Sequence, residues 1–229
     1  MTILSSPLLG LFVGKAEQRW EGKAPSAIAK KAVSHTLDLA TDGFTEDNQA
    51  DLSVHGGSDK ALHFYPADHY TFWQQELPEK ADLFFPGGFG ENLSAAGITE
   101  EKVCIGDIFE LGKARLQISQ GRQPCWKLNM HIDEKSLVAR FQKSGFTGWY
   151  FRVLETASIS PGDTLTLRER PCPEWPLASV IRARFDPKLD PTVARSLSRL
   201  PELAENWRNS FAKKADKTFI EDTRVRTEG

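Results

Sequence analysis

The stretch Ile108-Phe-Glu-Leu-Gly-Lys-Ala-Arg-Leu-Gln-Ile118 runs directly into Ser119-Gln-Gly-Arg-Gln-Pro-Cys-Trp-Lys-Leu128. Two apolar arms, 108–111 and 114–118, flank Gly112-Lys113, a pair that suits a two-residue type II′ hairpin turn with glycine at φ > 0. The second arm cannot continue regularly past Pro124, whose φ is fixed and whose nitrogen has no hydrogen to donate. Cys125 is therefore expected where a strand ends, at the lip of a sheet. Arg122 and Lys127 are its close neighbours in sequence. Positive neighbours favour the thiolate, the form that acts as a nucleophile or a soft-metal ligand, although a lone cysteine is more often a packing residue.

Moving outward, Gly106-Asp107 before the hairpin is echoed by Gly162-Asp163 in Ser160-Pro-Gly-Asp-Thr-Leu-Thr-Leu167, again a turn before an alternating strand. Residues 9–13 and 149–154 read as core strands, and 33–39 alternate with a period of two that puts His35 on the apolar side as a core histidine. Helical spacing places Tyr70, Trp73 and Leu77 on one buried face of a helix over 66–77, and Leu137, Val138 and Phe141 on another over 135–143. Many short strands with Gly and Pro turns predict a mainly β fold with added α, a barrel rather than a doubly wound sheet. The barrel domain is assigned to residues 1–170.

Pro171-Cys-Pro-Glu-Trp-Pro176 then reads as a stiff linker. A three-helix unit is expected over 177–215: 177–184, a second helix capped by Asp190-Pro191, and a third opened by Pro201 with Leu203, Trp207 and Phe211 on one side. It has too few apolar residues to stand alone, so it should pack on the barrel or on a second chain, a homodimer. Residues 216–229 form a charged tail.

The 229 residues are 40% hydrophobic, enough for a full core, and carry a formal charge of −2. That balance lacks the basic surplus of nucleic-acid binders, so a small-molecule partner is expected. Cys104, Cys125 and Cys172 form no C-x-x-C pair and no iron–sulfur spacing, and an odd count argues against a disulfide framework. No apolar run approaches the length of a membrane helix, and a cytoplasmic protein is expected. Cys104 and Cys172 read as structural.

Three polar islands remain. Asp51-x-x-x-His55-Gly-Gly-x-Asp-Lys-Ala61 sets an imidazole beside Gly56 and Gly57, whose backbone can approach an anion closely, although the same letters make a plain turn. Phe84-Phe-Pro-Gly-Gly-Phe-Gly-Glu-Asn-Leu93 is a glycine-rich loop without Walker or Rossmann spacing. The third island is Gln120-x-Arg-x-Pro-Cys125-x-Lys-Leu128.

In this order, and with the helical tail, the islands resemble the MOSC domain, the C-terminal type of molybdenum-cofactor sulfurases, and within it the YiiM branch. The resemblance implies a β-barrel that binds molybdenum cofactor (molybdopterin) and reduces N-hydroxylated compounds such as hydroxylaminopurine and amidoximes. By motif position, Cys125 would be the molybdenum ligand. His55, Gly56, Gly57, Lys60, Asn92, Arg122 and Gln123 would bind the pterin or its phosphate. His55 or Glu91 would donate a proton, and Asp51 would orient His55. Electrons would come from a separate donor protein. The same residues also suit a cofactor or sulfur carrier, a cofactor-free enzyme with Cys125 as nucleophile and His55 as base, or a purely structural domain in which Cys125 is buried.

Overall fold

The computed structural model describes residues 4–50 and 56–216. Eleven strands are assigned there: β1 (Ser5–Val13), β2 (Lys31–Val33), β3 (Leu37–Ala40), β4 (Gly43–Phe44), β5 (Leu62–Pro66), β6 (Leu93–Ala95), β7 (Ile108–Leu111), β8 (Ala114–Gly121), β9 (Trp149–Glu155), β10 (Ala157–Ile159) and β11 (Thr164–Glu169). The main sheet runs β11-β7-β8-β9-β5-β6-β1-β2, and β1 also pairs with β11. That last pairing closes a seven-stranded barrel, with β2 appended to β1. Only β5–β6 is parallel, so the barrel is mixed.

Closure depends on one long strand serving three partners. Ser5–Pro7 pair with β11, the middle of β1 pairs with β6, and Leu11–Val13 pair with β2. The register shifts between Leu8 and Gly10, a bulge that lets the strand bend from one side of the barrel to the other.

The hairpin forms as the sequence predicts: β7 and β8 pair Leu111 with Ala114, and Gly112 turns at φ 58. Along β8, burial alternates from Ala114 to Ile118 and then becomes continuous from Ser119 to Gly121. The inner face packs into the barrel core with Phe64, Trp149 and Phe151, where Phe64 and Trp149 stack at 4.4 Å. The outer face becomes buried because the C-terminal helices cover it. Those helices are α4 (Leu177–Phe185), α5 (Pro191–Ser198) and α6 (Glu205–Ala215); Ile181, Leu197, Trp207 and Phe211 join the same core cluster. Asp190 caps α5 as expected, accepting from the Thr192 amide at 2.7 Å. Pro201 does not open α6: the Ala204 amide is committed to the Ser119 carbonyl, and the helix starts after it.

A second core lies outside the barrel. It gathers Tyr70 and Trp73 of α1 (Asp68–Glu76) and Leu77 with Leu128 and Ile132 of α2 (Trp126–Ile132) and Phe141 of α3 (Leu137–Ser144). The predicted strand over 33–39 is broken, because the chain leaves the barrel after Val33 and pairs anew at Leu37 with β10. His35 falls in that crossing and is not a core histidine: its side chain is 56% exposed and meets Glu46 at 3.1 Å. The buried histidines among the described residues are His63 and His69. No helix there is long and apolar enough to cross a membrane.

Gly148, just before β9, turns at φ 67 with its missing Cβ only 2.3 Å from the Phe64 carbonyl oxygen. Alanine there meets both a disfavoured backbone conformation and rigid neighbours. Gly148→Ala is expected to lower stability by at least about 2 kcal/mol in urea denaturation.

Candidate active site

The end of β8 delivers a cluster of functional side chains to one cleft. After Gly121 the chain extends through Arg122, Gln123 and Pro124 to Cys125, which precedes α2 in extended conformation (φ −131, ψ 169). Proline forbids the strand to continue, and the Leu128 amide donates to the Cys125 carbonyl to start the helix. The thiol is half-buried, whereas Cys104 and Cys172 are buried.

Cys125 lines a cavity of about 100 Å³ with Ser26, Lys30, Asp47, Lys60, His63, Asn92, Arg122, Lys127 and Tyr150 among its walls. The residues Asn48, Gln49 and Ala50, leading to the undescribed segment 51–55, line it too. Among the described residues the wall therefore holds four cations and one carboxylate. The carboxylate is already engaged. Asp47 accepts from Lys30 Nζ, from the Gly14 amide at 2.7 Å and from Asn92 Nδ2 at 2.8 Å, and the Lys30–Asp47 side chains are 8% and 7% exposed. Asn92 also donates to the Phe12 carbonyl and accepts from the His63 amide, both at 3.1 Å, so one amide ties β1, β5 and the Asp47 loop together.

Arg122 is held by its backbone and side chain alike. Its amide donates to the Gly148 carbonyl at 3.0 Å and Nη1 to the Phe89 carbonyl at 2.7 Å. Lys127 Nζ donates to the Pro25 carbonyl at 2.9 Å. Burial lowers the Lys30 pKa, and Asp47 works against that shift. Burial, with Arg122 and Lys30 nearby, pushes the His63 pKa well below its usual value, so its imidazole is neutral at pH 7. Burial raises the Tyr150 pKa, keeping the phenol protonated.

Cys125, Lys60, Asn92 and Arg122 thus meet in one cleft. Gln123 does not join its lining; its amide oxygen accepts from Arg184 Nη2 of α4 at 3.3 Å. Gly56 and Gly57 stand outside the lining as well, and Gly57 instead shapes the 3-10 turn Ser58–Lys60 with φ 95. His55 and Asp51 lie outside the described residues. The proton-donor role expected of Glu91 needs correction. Glu91 is fully buried, accepting from Tyr70 Oη and the Gly87 amide (2.5 Å) on one oxygen and from the Phe89 amide (3.1 Å) on the other. Its carboxylate organises the glycine-rich loop from inside and does not line the cleft.

Lys30, Asp47, His63 and Tyr150 escaped the sequence reading. A histidine inside the apolar run Leu62-His-Phe-Tyr65 is the one available signal; Lys30, beside Lys31 in a run of small apolar residues, and Asp47, in a polar loop, carry no local mark of a site until the barrel brings them together.

The MOSC domain matches residues 51–166 of the chain, and the YiiM-like, 3-alpha helix domain matches residues 175–217. The chain belongs to the MOSC-domain proteins, and within them to the YiiM type. YiiM of Escherichia coli is 40% identical over 212 residues, covering 93% of this chain and 94% of that protein. Its crystal structure superposes with a TM-score of 0.83 over 99% of this chain and 100% of that one, at 30% identity in that alignment. YflK of Bacillus subtilis is also 40% identical over 212 residues, covering 92% and 95% of the two chains. A protein of Gibberella moniliformis named reductase is 41% identical over 167 residues, which are 71% of this chain and 30% of that protein.

Lys30→Met leaves the Asp47 carboxylate buried without its cation and is expected to cost about 3 kcal/mol in urea denaturation. His131, at the end of α2, has its pKa lowered from 6.5 to about 4 by burial and by Arg19. Unfolded histidine takes a proton below pH 6.5 that the folded chain refuses down to about pH 4, so this residue withdraws stability as pH falls through that window. Relative to His131→Gln, the wild type should lose about 1 kcal/mol between pH 7 and pH 5, about half of what the full shift gives because solvent screens the partly exposed ring.

Proposed function

We propose that the chain is a molybdenum-cofactor-dependent reductase of N-hydroxylated compounds such as hydroxylaminopurine and amidoximes. The observation that carries this reading is the donor set of the cleft: one accessible thiol among Lys30, Lys60, Arg122 and Lys127, with the sole described carboxylate already neutralised. A phosphorylated, thiolate-binding ligand fits that set. Among the described residues no group of three His, Cys, Asp or Glu side chains could hold a metal. A metal retained by Cys125 thus needs a ligand that brings further donors, as a pterin dithiolene does. The fungal relative named reductase agrees with redox chemistry in this family.

When bound, the cofactor supplies the oxygen-abstracting redox chemistry that cleaves an N–O bond. The chain supplies the rest. Cys125 would ligate the metal; Arg122, whose guanidinium forks onto phosphate oxygens, and Lys60 would bind the phosphate. Asn92, which accepts from the His63 amide, fixes the start of β5 directly after the Lys60 turn. Neutral His63 offers hydrogen bonding without adding charge. Tyr150, protonated at pH 7, can hold a proton beside the thiol for delivery to the leaving oxygen. Reducing an N-hydroxyl group to an amine consumes two electrons and two protons and releases water, and a separate donor protein would supply the electrons.

The test is molybdenum content per chain after production in a cofactor-competent host, with turnover of hydroxylaminopurine or benzamidoxime by a chemical reductant. Cys125→Ser is expected to lose molybdenum and turnover by at least about tenfold. Equal molybdenum in both proteins contradicts the reading. Loaded wild type that turns over neither substrate favours a cofactor carrier.

A further inference from the structure

The C-terminal helices touch two of the chain segments that carry cleft cations, those of Lys60 and Arg122. Lys60 ends the turn Ser58–Lys60, and its neighbour Asp59 is tied to three elements. The Asp59 carboxylate accepts from Arg152 Nε (2.9 Å) and Nη2 (2.8 Å) on β9, and from the Glu205 amide at the start of α6 (3.3 Å). The Asp59 carbonyl accepts from the Ser119 hydroxyl at 2.6 Å, which also lies 3.0 Å from the Tyr150 carbonyl. The Ser119 carbonyl in turn accepts from the Ala204 amide at 2.9 Å. Ser119 is fully buried at the centre of this knot between β8, β9, the Lys60 turn and α6, and the Asp59 carboxylate lies at its partly exposed rim.

A second contact lies further along β8. Gly121 approaches the helices so closely that a Cβ would stand 2.5 Å from Ile181 Cγ1 and 2.9 Å from Trp207. Arg122 follows directly, and Gln123 is bound to Arg184 of α4. A three-residue 3-10 turn has poor internal hydrogen-bond geometry and cannot fix a lysine by itself. Its outside anchors must.

We propose that the helical unit is a positioning element of the cleft: through Ser119, Asp59 and Gly121 it holds Lys60 and Arg122 in place around Cys125. Preorganised cations bind an anion without first losing chain entropy, so the helices raise the affinity of a cleft they do not line. The proposal rests on the cleft being the working site, not on which ligand fills it.

The test uses the full-length, cofactor-free chain and two disulfide reagents of the same chemistry, dianionic dithiobis(nitrobenzoate) and neutral dithiodipyridine. Cys125→Ser supplies the background. The ratio of the two rates reports the positive field at the thiol and cancels changes in its exposure. Trp207→Leu, which removes the α6 ring packed over Gly121, and Gly121→Ala alter no charge. Each is expected to lower the dianion-to-neutral ratio by about two- to fivefold. Adding Ile181→Ala to Gly121→Ala removes the nearest clashing atoms and should move the ratio back toward wild type. An unchanged ratio in variants shown to be folded by their unfolding midpoints overturns the proposal; if Gly121→Ala does not fold, Trp207→Leu decides alone. A null result leaves the molybdenum reading intact, and a chain without molybdenum leaves the positioning result intact.

Discussion

The pairing of Ser5–Pro7 with the first residues of β11 closes the sheet on itself, and every feature of the cleft depends on that closure. β8, β9 and β5 are paired directly with one another, and closure fixes how tightly that sheet curls. In the closed barrel they are adjacent in the order β8-β9-β5, and His63, Tyr150 and the residues after Gly121 converge on one cleft. Closure also removes the unpaired edges that β1 and β11 would otherwise expose. The bulge near Gly10 is what allows a single strand to take part in both seams.

Around that cleft the molecule carries more buried charge than packing requires. Lys30, Asp47 and Arg122 are all less than one tenth exposed, and burying ions is unfavourable unless each finds partners. Asn92 resolves most of this by linking Asp47 to two strands, and backbone carbonyls serve Arg122 and Lys127. What remains is a net positive wall beside a thiol. Such an arrangement favours a ligand that brings negative charge. The helical tail covers the face of β8 opposite the barrel core and packs directly against Gly121, the residue before Arg122.

Much of this was legible in the amino-acid order. The Gly112-Lys113 hairpin, the proline before Cys125, the aromatic face of α1 and the Asp190 cap are local signals, and local signals survive folding because short-range sterics and capping set them. Alternation puts His35 in the core only where the strand is continuous: a period of two shows which faces a segment offers, not whether its strand is broken midway. A related limit applies to Glu91. A carboxylate in a glycine-rich loop suggests chemistry, but only the folded chain shows that three donors have already claimed it. Lys30, Asp47 and His63 come from separate stretches and acquire meaning only through long-range pairing. Pro201 was a plausible helix opener until the Ala204 amide found its acceptor on β8.

The central claim is that Cys125 presents its sulfur to a metal carried by a phosphorylated pterin within this positive cleft. X-ray absorption at the molybdenum edge of cofactor-loaded wild type tests it most directly. The account predicts a sulfur neighbour beyond the pair supplied by the pterin itself. Molybdenum that shows no such additional sulfur, in protein whose Cys125 still reacts freely with thiol reagents, would contradict it.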